Sequence, residues 1–321
     1  MYGAYISNVM DVSASASDVD VRLGGLPISM PVHGLGRLWV SPRVNRDVAV
    51  RPKDGTRRLY EYWNPNPRSL SLVIPAYNEE DRLGKALTAY LPALERLHVP
   101  FEVLVICDGR DRTPAVARSF ANRGVVCFEY PNKLGRGGAI LEGFRKCQGD
   151  LIAFADADAS VPAADLEQMV ALALAGPPAV IASRRLRPEV VPVPEPAFRR
   201  SIGFVWHLLV KFLLDLQLED AQCGLKIFSK RVVRDVILKQ LTVTNRTFEV
   251  GMLFHVARSG IPIVEIPVKY VHDFDTRMPI GRAWPVMLLT LVGILFSNRL
   301  AANGHQAPAF VVELNRKFAS V

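Results

Sequence analysis

Hydrophobic and polar positions follow two alternating periods through the middle of this chain. Short apolar runs typical of buried parallel strands occupy residues 70–74, 101–106, 125–129, 151–155 and 179–182. Segments with helical spacing lie between them, at residues 78–97, 115–122, 138–147 and 164–175. We expect Asn78 to cap the first of these helices. The alternation predicts an α/β fold, with a mostly parallel sheet and helices on both faces.

The pattern differs on either side of this unit. Residues 1–66 contain a Ser/Ala repeat and a basic stretch, and Pro residues end the segment. We predict a partly ordered extension there, with a short strand near residues 37–40. We predict that residues 67–278 form the main domain, with a last strand at 263–271, and that residues 279–321 form an apolar helix with a tail.

Two segments late in the chain have the character of interfacial helices. We predict an amphipathic helix at residues 199–218, with Arg200, His207 and Lys211 on one side. Residues 283–296 are apolar and without charge, but a membrane span needs about 20 residues. We expect both helices to lie in a membrane interface, and the alternative is that they are core helices of the domain.

Composition and charge narrow the classes of partner. The chain has 321 residues, of which 50% are hydrophobic, and its formal net charge is +8, which favours an anionic partner. No basic patch interleaved with aromatic residues supports nucleic-acid binding. The four cysteines form no C-x-x-C pair, so we expect reduced thiols in a cytosolic protein and no zinc site. Residues 1–16 lack the pattern of a secretory signal.

The most informative residues are Asp156 and Asp158, which directly follow the fourth apolar run. In an extended segment positions i and i+2 point the same way, and open α/β sheets bind ligands at the carboxyl ends of their strands. Two adjacent carboxylates repel each other unless a cation lies between them, and oxygen ligands suit Mg²⁺ or Mn²⁺ with phosphate oxygens. The pair therefore indicates a site for a metal-bound diphosphate, although an Asp-rich turn is the alternative.

Four further segments accompany this acidic pair, and together the five resemble family 2 glycosyltransferases of the GT-A fold. They are residues 71–80 (SLVIPAYNEE), 105–109 (VICDG), 132–139 (NKLGRGGA) and 220–226 (DAQCGLK), with residues 156–158 (DAD) between the last two. More narrowly they are similar to the polyprenyl-phosphate sugar transferases, over about residues 69–278. The family often has two acids before the glycine of the second segment, and here the first position is Cys107.

The resemblance implies a role for each matching residue. It assigns the sugar nucleotide to Pro75, Tyr77, Glu79, Asp108, Lys133 and Asp156. It assigns the metal to Asp156 and Asp158, with Ser160 nearby, and the transfer step to Asp158, Arg184, Arg200, Gln222 and Lys226. It also points to Arg199, Asp220, Glu249, His272 and Arg277. The residues alone leave open a helix-dipole role for Glu79, a turn role for Asp108, and solvated positions for Arg184 and Glu249.

The resemblance further implies a metal-dependent, inverting hexosyltransferase. The donor would be UDP-glucose or, next, GDP-mannose, with Mg²⁺ or Mn²⁺, and the acceptor a polyprenyl or dolichyl phosphate. The protein would then be peripheral or monotopic on the cytoplasmic face of a membrane, and it could be an oligomer. The rival activities are a family 2 transfer to a soluble acceptor, such as a sugar or glycerate derivative, and a non-catalytic binding module.

Overall fold

The computed structural model describes residues 10–11, 18–23, 26–31, 37–40, 62, 64, 66–186, 197–240, 247–271, 287–288, 290–291 and 294. The strands are β1 (Met10–Asp11), β2 (Asp18–Leu23), β3 (Leu26–Pro31), β4 (Arg37–Val40), β5 (Leu70–Ala76), β6 (Phe101–Cys107), β7 (Val125–Glu129), β8 (Leu151–Phe154), β9 (Ala179–Ser183), β10 (Lys226–Ser229) and β11 (Val264–Pro267). The longer helices are α1 (Leu83–Glu95), α2 (Thr113–Arg118), α3 (Gly135–Lys146), α4 (Ala163–Leu174) and α5 (Ala197–Leu213). Short α6 (Lys230–Val232) continues through the π-helical turn Val233–Ile237 to α7 (Leu238–Gln240), and α8 is Phe248–Arg258.

A nine-stranded sheet organises these elements in the order β1-β4-β11-β9-β10-β8-β5-β6-β7. Strands β8, β5, β6 and β7 pair in parallel as neighbours, and β11 pairs in parallel with β9. The antiparallel strand β10 lies between β8 and β9, and β2 pairs with β3 in a separate hairpin. The mostly parallel sheet predicted from the sequence is confirmed, but strand β10 was not predicted.

Helices cover both faces of the sheet, as predicted. One hydrophobic core packs α1 and α4 against one face of the central strands, and the other packs α3, α5 and α8 against the opposite face. The central strands are buried throughout, which is why their sequences are continuous apolar runs rather than alternating ones. The parallel strands therefore have their carboxyl ends on the same side of the sheet, and the loops that follow them carry the polar residues.

Several predicted element boundaries need correction. Helix α1 begins at Leu83, not at Asn78, and Asn78 has a left-handed backbone with φ of 56°, so the predicted cap is wrong. The helix predicted at residues 199–218 ends at Leu213, and the strand predicted at 263–271 is the shorter β11. The predicted strand at residues 37–40 coincides with β4. Most of the two terminal segments lies outside the described residues.

The described part of the predicted helix 283–296 packs into the domain. Residues 287, 288, 290, 291 and 294 are helical, and Leu291 and Ile294 are buried in the core that includes α5. Leu288 is exposed. These side chains favour the core-helix alternative for this segment. In the part of the chain described here, no helix is both long enough and apolar enough to span a bilayer.

Candidate active site

Several predicted site residues lie at the carboxyl ends of β5, β6 and β8. Because these strands are parallel neighbours, the loops that follow Ala76, Cys107 and Phe154 meet at one edge of the sheet. These loops carry Tyr77, Asp108 and the acidic pair, respectively. A doubly wound sheet binds ligands at the carboxyl ends of its strands. The topology thus brings together, at this place, segments that are far apart in sequence.

Asp156 is held by an arginine that the sequence analysis did not select. Arg136, in the first turn of α3, donates from Nε and Nη2 to Oδ1 of Asp156, at 2.9 and 2.7 Å. The other side of Asp156 lies against Gly224, where an added Cβ would be only 2.0 Å from Oδ2. The glycine-rich turn and the fifth motif therefore both fix this carboxylate.

Arg136 also starts a chain of charges that leads into the core. Its Nη1 lies 3.0 Å from Oε1 of Glu249, and Nζ of Lys226 lies 3.3 Å from the same oxygen. Lys226 is 0% exposed, donates to the carbonyl oxygen of Cys223 at 2.5 Å, and lies over the ring of Phe154. Lys226 is therefore beneath the site, because it begins the buried strand β10. Glu249 is also buried, so the alternative of a solvated helix face is wrong.

Asp158 closes a tight turn. Its Oδ1 accepts hydrogen bonds from the backbone N–H of Ser160, at 2.9 Å, and from the Ser160 hydroxyl. Burial, followed by the negative charge of Asp156, raises the pKa of Asp158. The two carboxylates are thus close enough to repel each other, which is the electrostatic situation that a cation relieves.

The acidic pair fits a hard divalent cation that also binds a ligand. No group of three or more His, Cys, Asp or Glu side chains with metal-binding geometry occurs in the described part of the chain. Mg²⁺ is usually held by one or two carboxylates plus substrate phosphates, and two carboxylates are what this site offers. Asp156 and Asp158 would hold such a cation, and metal dependence stays a prediction.

A lysine and an aromatic ring contact each other between the loop after β5 and the turn before α3. The Nζ of Lys133 lies 4.4 Å from the ring centroid of Tyr77, which is 44% exposed. Pro75 lies within β5, Tyr77 is the first residue after that strand, and Lys133 precedes α3. A partly exposed ring beside an ammonium group offers a surface for a base and a charge for a phosphate.

Asp108 supports the glycine-rich turn. Its carboxylate is buried, and Oδ2 accepts hydrogen bonds from the backbone N–H groups of Leu134 and Gly135, at 2.8 and 3.0 Å. Burial raises the pKa of Asp108 despite these bonds. The structure therefore gives Asp108 a turn-supporting contact at the start of α3, and its contact with a nucleotide stays a prediction.

Glu79 and Asn78 organise the loop after β5. The carboxylate of Glu79 accepts two hydrogen bonds from the Arg82 guanidinium, at 2.7 and 2.8 Å, and its backbone N–H donates to Thr113 Oγ1. Oδ1 of Asn78 accepts from the backbone N–H of Arg110 at 2.9 Å. Instead of capping α1, Asn78 ties the loop after β5 to the loop after β6.

Arg184 is locked in place by Asp220. It donates from Nε and Nη2 to the carboxylate at 2.7 and 2.9 Å, and its backbone N–H donates at 3.0 Å. Although burial favours the protonated acid, the Arg184 guanidinium holds the pKa of Asp220 well below its usual range. The backbone N–H of Gln222 donates to the same carboxylate at 3.2 Å. Arg184 is therefore not a solvated surface residue.

Glu265, on β11, is a further residue that the sequence pattern did not reveal. It is buried and accepts hydrogen bonds from the backbone N–H groups of Glu219 and Asp220, at 2.9 and 3.0 Å. It thus positions the loop that carries Asp220. A lone Glu in the short apolar strand was the only available signal. Arg136, by contrast, lay inside a quoted motif.

Some predicted residues cannot be placed. Arg199 and Arg200 lie in the first turns of α5, but their side chains are outside the described part of the chain. His272 and Arg277 lie outside the described residues altogether. Roles for these four residues stay predictions.

Helix α5 carries an exposed apolar face beside the site. Trp206 and Val210 are buried against the domain. Phe204 and Phe212 are 55% and 79% exposed, and Val205 and Leu213 are also exposed. Arg185, which follows Arg184, donates to the carbonyl oxygen of Gly203 at 2.8 Å, so the helix is tied to the end of β9.

Comparisons with known proteins agree with this geometry. The model of the family described as "Glycosyl transferase family 2" matches residues 71–238. A human dolichyl-phosphate beta-glucosyltransferase is 30% identical over 251 residues, covering 73% of this chain and 77% of that protein. A dolichyl-phosphate beta-glucosyltransferase of Trichomonas vaginalis is 27% identical over 264 residues, covering 73% and 80%.

Solved structures share the fold. Glucosyl-3-phosphoglycerate synthase from Mycobacterium tuberculosis, in complex with Mn²⁺, UDP and phosphoglyceric acid, aligns with a TM-score of 0.52 and 17% identity, over 72% of this chain and 78% of that one. Mannosyl-3-phosphoglycerate synthase from Rubrobacter xylanophilus aligns with a TM-score of 0.51 and 21% identity, over 81% and 82%. The predicted GT-A fold is thereby confirmed.

Proposed function

Because this chain belongs to glycosyl transferase family 2, we propose that it transfers a hexose from a nucleotide diphosphate sugar to the phosphate of a polyprenyl lipid such as dolichyl phosphate. The observation that carries the proposal is that Asp156 and Asp158 follow β8 while Tyr77, in contact with Lys133, follows the parallel neighbour β5. The names of the relatives at 27–30% identity support the lipid acceptor.

UDP-glucose is the donor that we favour, and GDP-mannose is the rival. The relatives named above are beta-glucosyltransferases, which supports glucose. In the proposed complex the Tyr77 ring packs on the base, and Lys133 binds a donor phosphate. Asp156 and Asp158 would hold Mg²⁺ or Mn²⁺, which would neutralise charge on the leaving diphosphate.

The proposed reaction is a single displacement. An oxygen of the acceptor phosphate attacks the anomeric carbon from the face opposite the nucleotide, the bond to the diphosphate breaks, and the configuration inverts. The acceptor is already ionised, so no strong general base is required. The residues of the chain would contribute mainly by positioning and by charge stabilisation. Arg184, Arg200 and Gln222 are proposed to lie on the acceptor side.

The exposed face of α5 supports a lipid surface as the place of action. Phe204, Val205, Phe212 and Leu213 are exposed apolar side chains of α5, the helix whose Gly203 accepts a hydrogen bond from Arg185, in a chain with a net charge of +8. Apolar side chains on an amphipathic helix, together with basic charge, favour binding to an anionic membrane interface. We therefore propose a peripheral protein, on the cytoplasmic side where sugar nucleotides occur.

A donor and acceptor screen tests this proposal. The full-length protein would be incubated with UDP-glucose or GDP-mannose, with Mg²⁺, Mn²⁺ or a chelator, and with a polyprenyl phosphate or 3-phosphoglycerate. We expect metal-dependent transfer of glucose to the lipid. Transfer from GDP-mannose alone would overturn the assignment of UDP-glucose as the donor. Transfer to 3-phosphoglycerate alone would overturn the assignment of a lipid acceptor. No consumption of either donor would overturn the proposed reaction.

A further inference from the structure

Two free cysteines lie side by side beneath the donor side of the site. Cys107 is the last residue of β6, Cys127 is in the middle of β7, and their Sγ atoms are 3.4 Å apart. In the parallel register Cys127 faces Val105, two residues before Cys107, so the two thiols lie on the same face of the sheet. Among the strands of the described residues, β7 comes last in the sheet order and pairs with β6.

We propose that Cys107 and Cys127 are a modification site, at which hydrogen peroxide converts the thiol pair to a reversible disulfide. Cys107 occupies the motif position where the sequence resemblance leads one to expect an acid, and the proposed glycosyl transfer gives this thiol no task. Intracellular disulfides are mostly transient and redox-sensing, which is the kind of site proposed.

The surroundings decide which sulfur reacts first. Cys127 is partly exposed, and the hydrogen bond from Cys107, together with the nearby Arg118 guanidinium, lowers the pKa of its thiol. Cys107 is buried, and the hydrogen bond to Cys127 and burial raise its pKa. Because the thiolate is the nucleophile, Cys127 is the attacking residue and Cys107 the resolving one.

The chemistry balances with one molecule of hydrogen peroxide. The Cys127 thiolate attacks a peroxide oxygen, the O–O bond breaks, and a sulfenic acid forms with release of one water after protonation. The Cys107 sulfur then attacks the Cys127 sulfur, the S–O bond breaks, and the disulfide forms with release of a second water. Two thiols are oxidised and one peroxide is reduced to two waters.

Closing the disulfide would strain the support of the donor loop. The sulfurs must approach from 3.4 Å to a bond of about 2.0 Å, so β6 and β7 must draw together at Cys107. The next residue is Asp108, which holds the N–H groups of Leu134 and Gly135. The carbonyl oxygen of Cys107 also accepts from the Tyr130 N–H at 2.8 Å. We infer that oxidation loosens this turn and, if the proposed function holds, weakens donor binding.

Peptide mapping tests the modification without reference to catalysis. Full-length protein would be treated with hydrogen peroxide, alkylated and digested with trypsin without reduction. Cys107 falls in the peptide of residues 97–110 and Cys127 in that of residues 124–133. We expect these two peptides to appear linked and two hydrogen atoms lighter than their sum, and to separate after treatment with dithiothreitol. Alkylation of both thiols, or separate oxidation to sulfinic acids, would overturn the proposal.

The other two cysteines and one variant are the controls. Cys147 and Cys223 are buried, and burial raises the pKa of each to about 12, so both should remain as thiols. In Cys127→Ser no linked peptide should form. A linked peptide in that variant, through Cys147 or Cys223, would show non-specific oxidation and would overturn the assignment of the pair.

Two further measurements examine whether oxidation loosens the turn before α3 and weakens donor binding. Amide hydrogen exchange of a peptide containing Leu134 and Gly135 should become faster on oxidation in the native chain and not in Cys127→Ser. The affinity for UDP should fall on oxidation and return with dithiothreitol. Unchanged exchange would overturn the loosening of the turn, even with the disulfide formed. A reduced protein that binds no UDP would instead contradict the proposed function, and the peptide map would still decide whether the thiol pair is oxidised as proposed.

Discussion

The guanidinium of Arg136 donates two hydrogen bonds to a single oxygen of Asp156, with Nε and Nη2 at 2.9 and 2.7 Å from Oδ1. Through Nη1 the same side chain reaches Glu249, which in turn pairs with the buried Lys226. The first carboxylate of the acidic pair is thus anchored to the core through three further charges. A planar fork with donors in several directions makes this bridge possible, and a lysine has no equivalent geometry.

Replacing Arg136 with lysine should therefore impair both stability and activity. A lysine cannot contact Asp156 and Glu249 in the same way, so the buried Glu249 loses a partner. We expect a loss of about 1–3 kcal/mol in the free energy of unfolding and at least a tenfold fall, on the order of 1.4 kcal/mol, in transferase kcat/KM. Chemical denaturation and steady-state assays would measure these. Arg145→Lys, at a surface pair with Glu142 on the same helix, is the control. Equal behaviour of the two variants would contradict the bridging role.

Gly224→Ala should disturb Asp156 from the other side. The new Cβ would lie 2.0 Å from Oδ2, so the carboxylate or the β10 loop must move. We expect a marked loss of activity in a folded protein, measured with the donor and acceptor identified by the screen. Gly84→Ala is the matched control, because its Cβ would meet Val116 at an ordinary 3.6 Å. In helix α1 that change should stabilise the protein by about 0.5–1 kcal/mol. Full activity of Gly224→Ala would refute the close packing.

Asp158→Asn should strongly reduce metal-dependent transfer and leave the fold intact. The amide oxygen can still accept the Ser160 N–H, so the turn is kept, and removing a charge relieves the repulsion from Asp156. We expect activity to fall by a factor of about 100 or more, and calorimetric binding of Mn²⁺ with UDP to be lost. Asp81→Asn, at an exposed position, is the control. Mn²⁺ binding of normal strength in Asp158→Asn would refute the metal assignment.

Phe212→Glu should weaken membrane binding. Phe212 is 79% exposed on α5, so the change should cost the fold little while placing a negative charge on the proposed lipid-facing patch. We expect less protein to co-sediment with vesicles containing anionic lipids. The control is Val126→Glu, because Val126 is an exposed apolar residue on β7, the last strand in the order of the sheet. This variant should co-sediment like the native protein. Equal losses in the two variants would indicate a charge effect without a defined surface.

Glu265 should make the free energy of unfolding depend on pH. Burial raises its pKa from 4.5 to about 7, so between these values the folded state keeps a proton that the unfolded state releases. This contribution to stability is present below pH 4.5 and is lost as the pH rises through about 7. Glu265→Gln keeps an oxygen for the N–H groups of Glu219 and Asp220 but does not titrate.

The measurement is denaturant unfolding of both proteins from pH 4.5 to pH 8. Relative to Glu265→Gln, the native chain should lose up to about 3 kcal/mol over this window. Glu167→Gln, at a surface pair with Arg96, is the control carboxylate. Parallel pH profiles of the native chain and Glu265→Gln would contradict the buried, raised acid.

The local pattern of the sequence was enough to predict the central strands of this protein and the helices that cover them. Five apolar runs indicated β5 to β9, and the spacing between them indicated the covering helices, because burial on both faces leaves continuous hydrophobic strands. The acidic pair after β8 and the glycine-rich turn before α3 were also legible, since a sheet of parallel strands places their ends at one edge. Family membership rested on the same short motifs.

Only the tertiary structure decided the partners of the polar residues. Strand β10 pairs with β8 and β9 across a long connection, and that pairing buries Lys226 and brings Glu249 to Arg136. Asn78 carries the local signal of a helix cap, but the loop after β6 offers its side chain a better-placed N–H. The Cys107–Cys127 contact likewise depends on the register of two strands. Such contacts join residues distant in sequence, and neither propensity nor periodicity encodes which of them will meet.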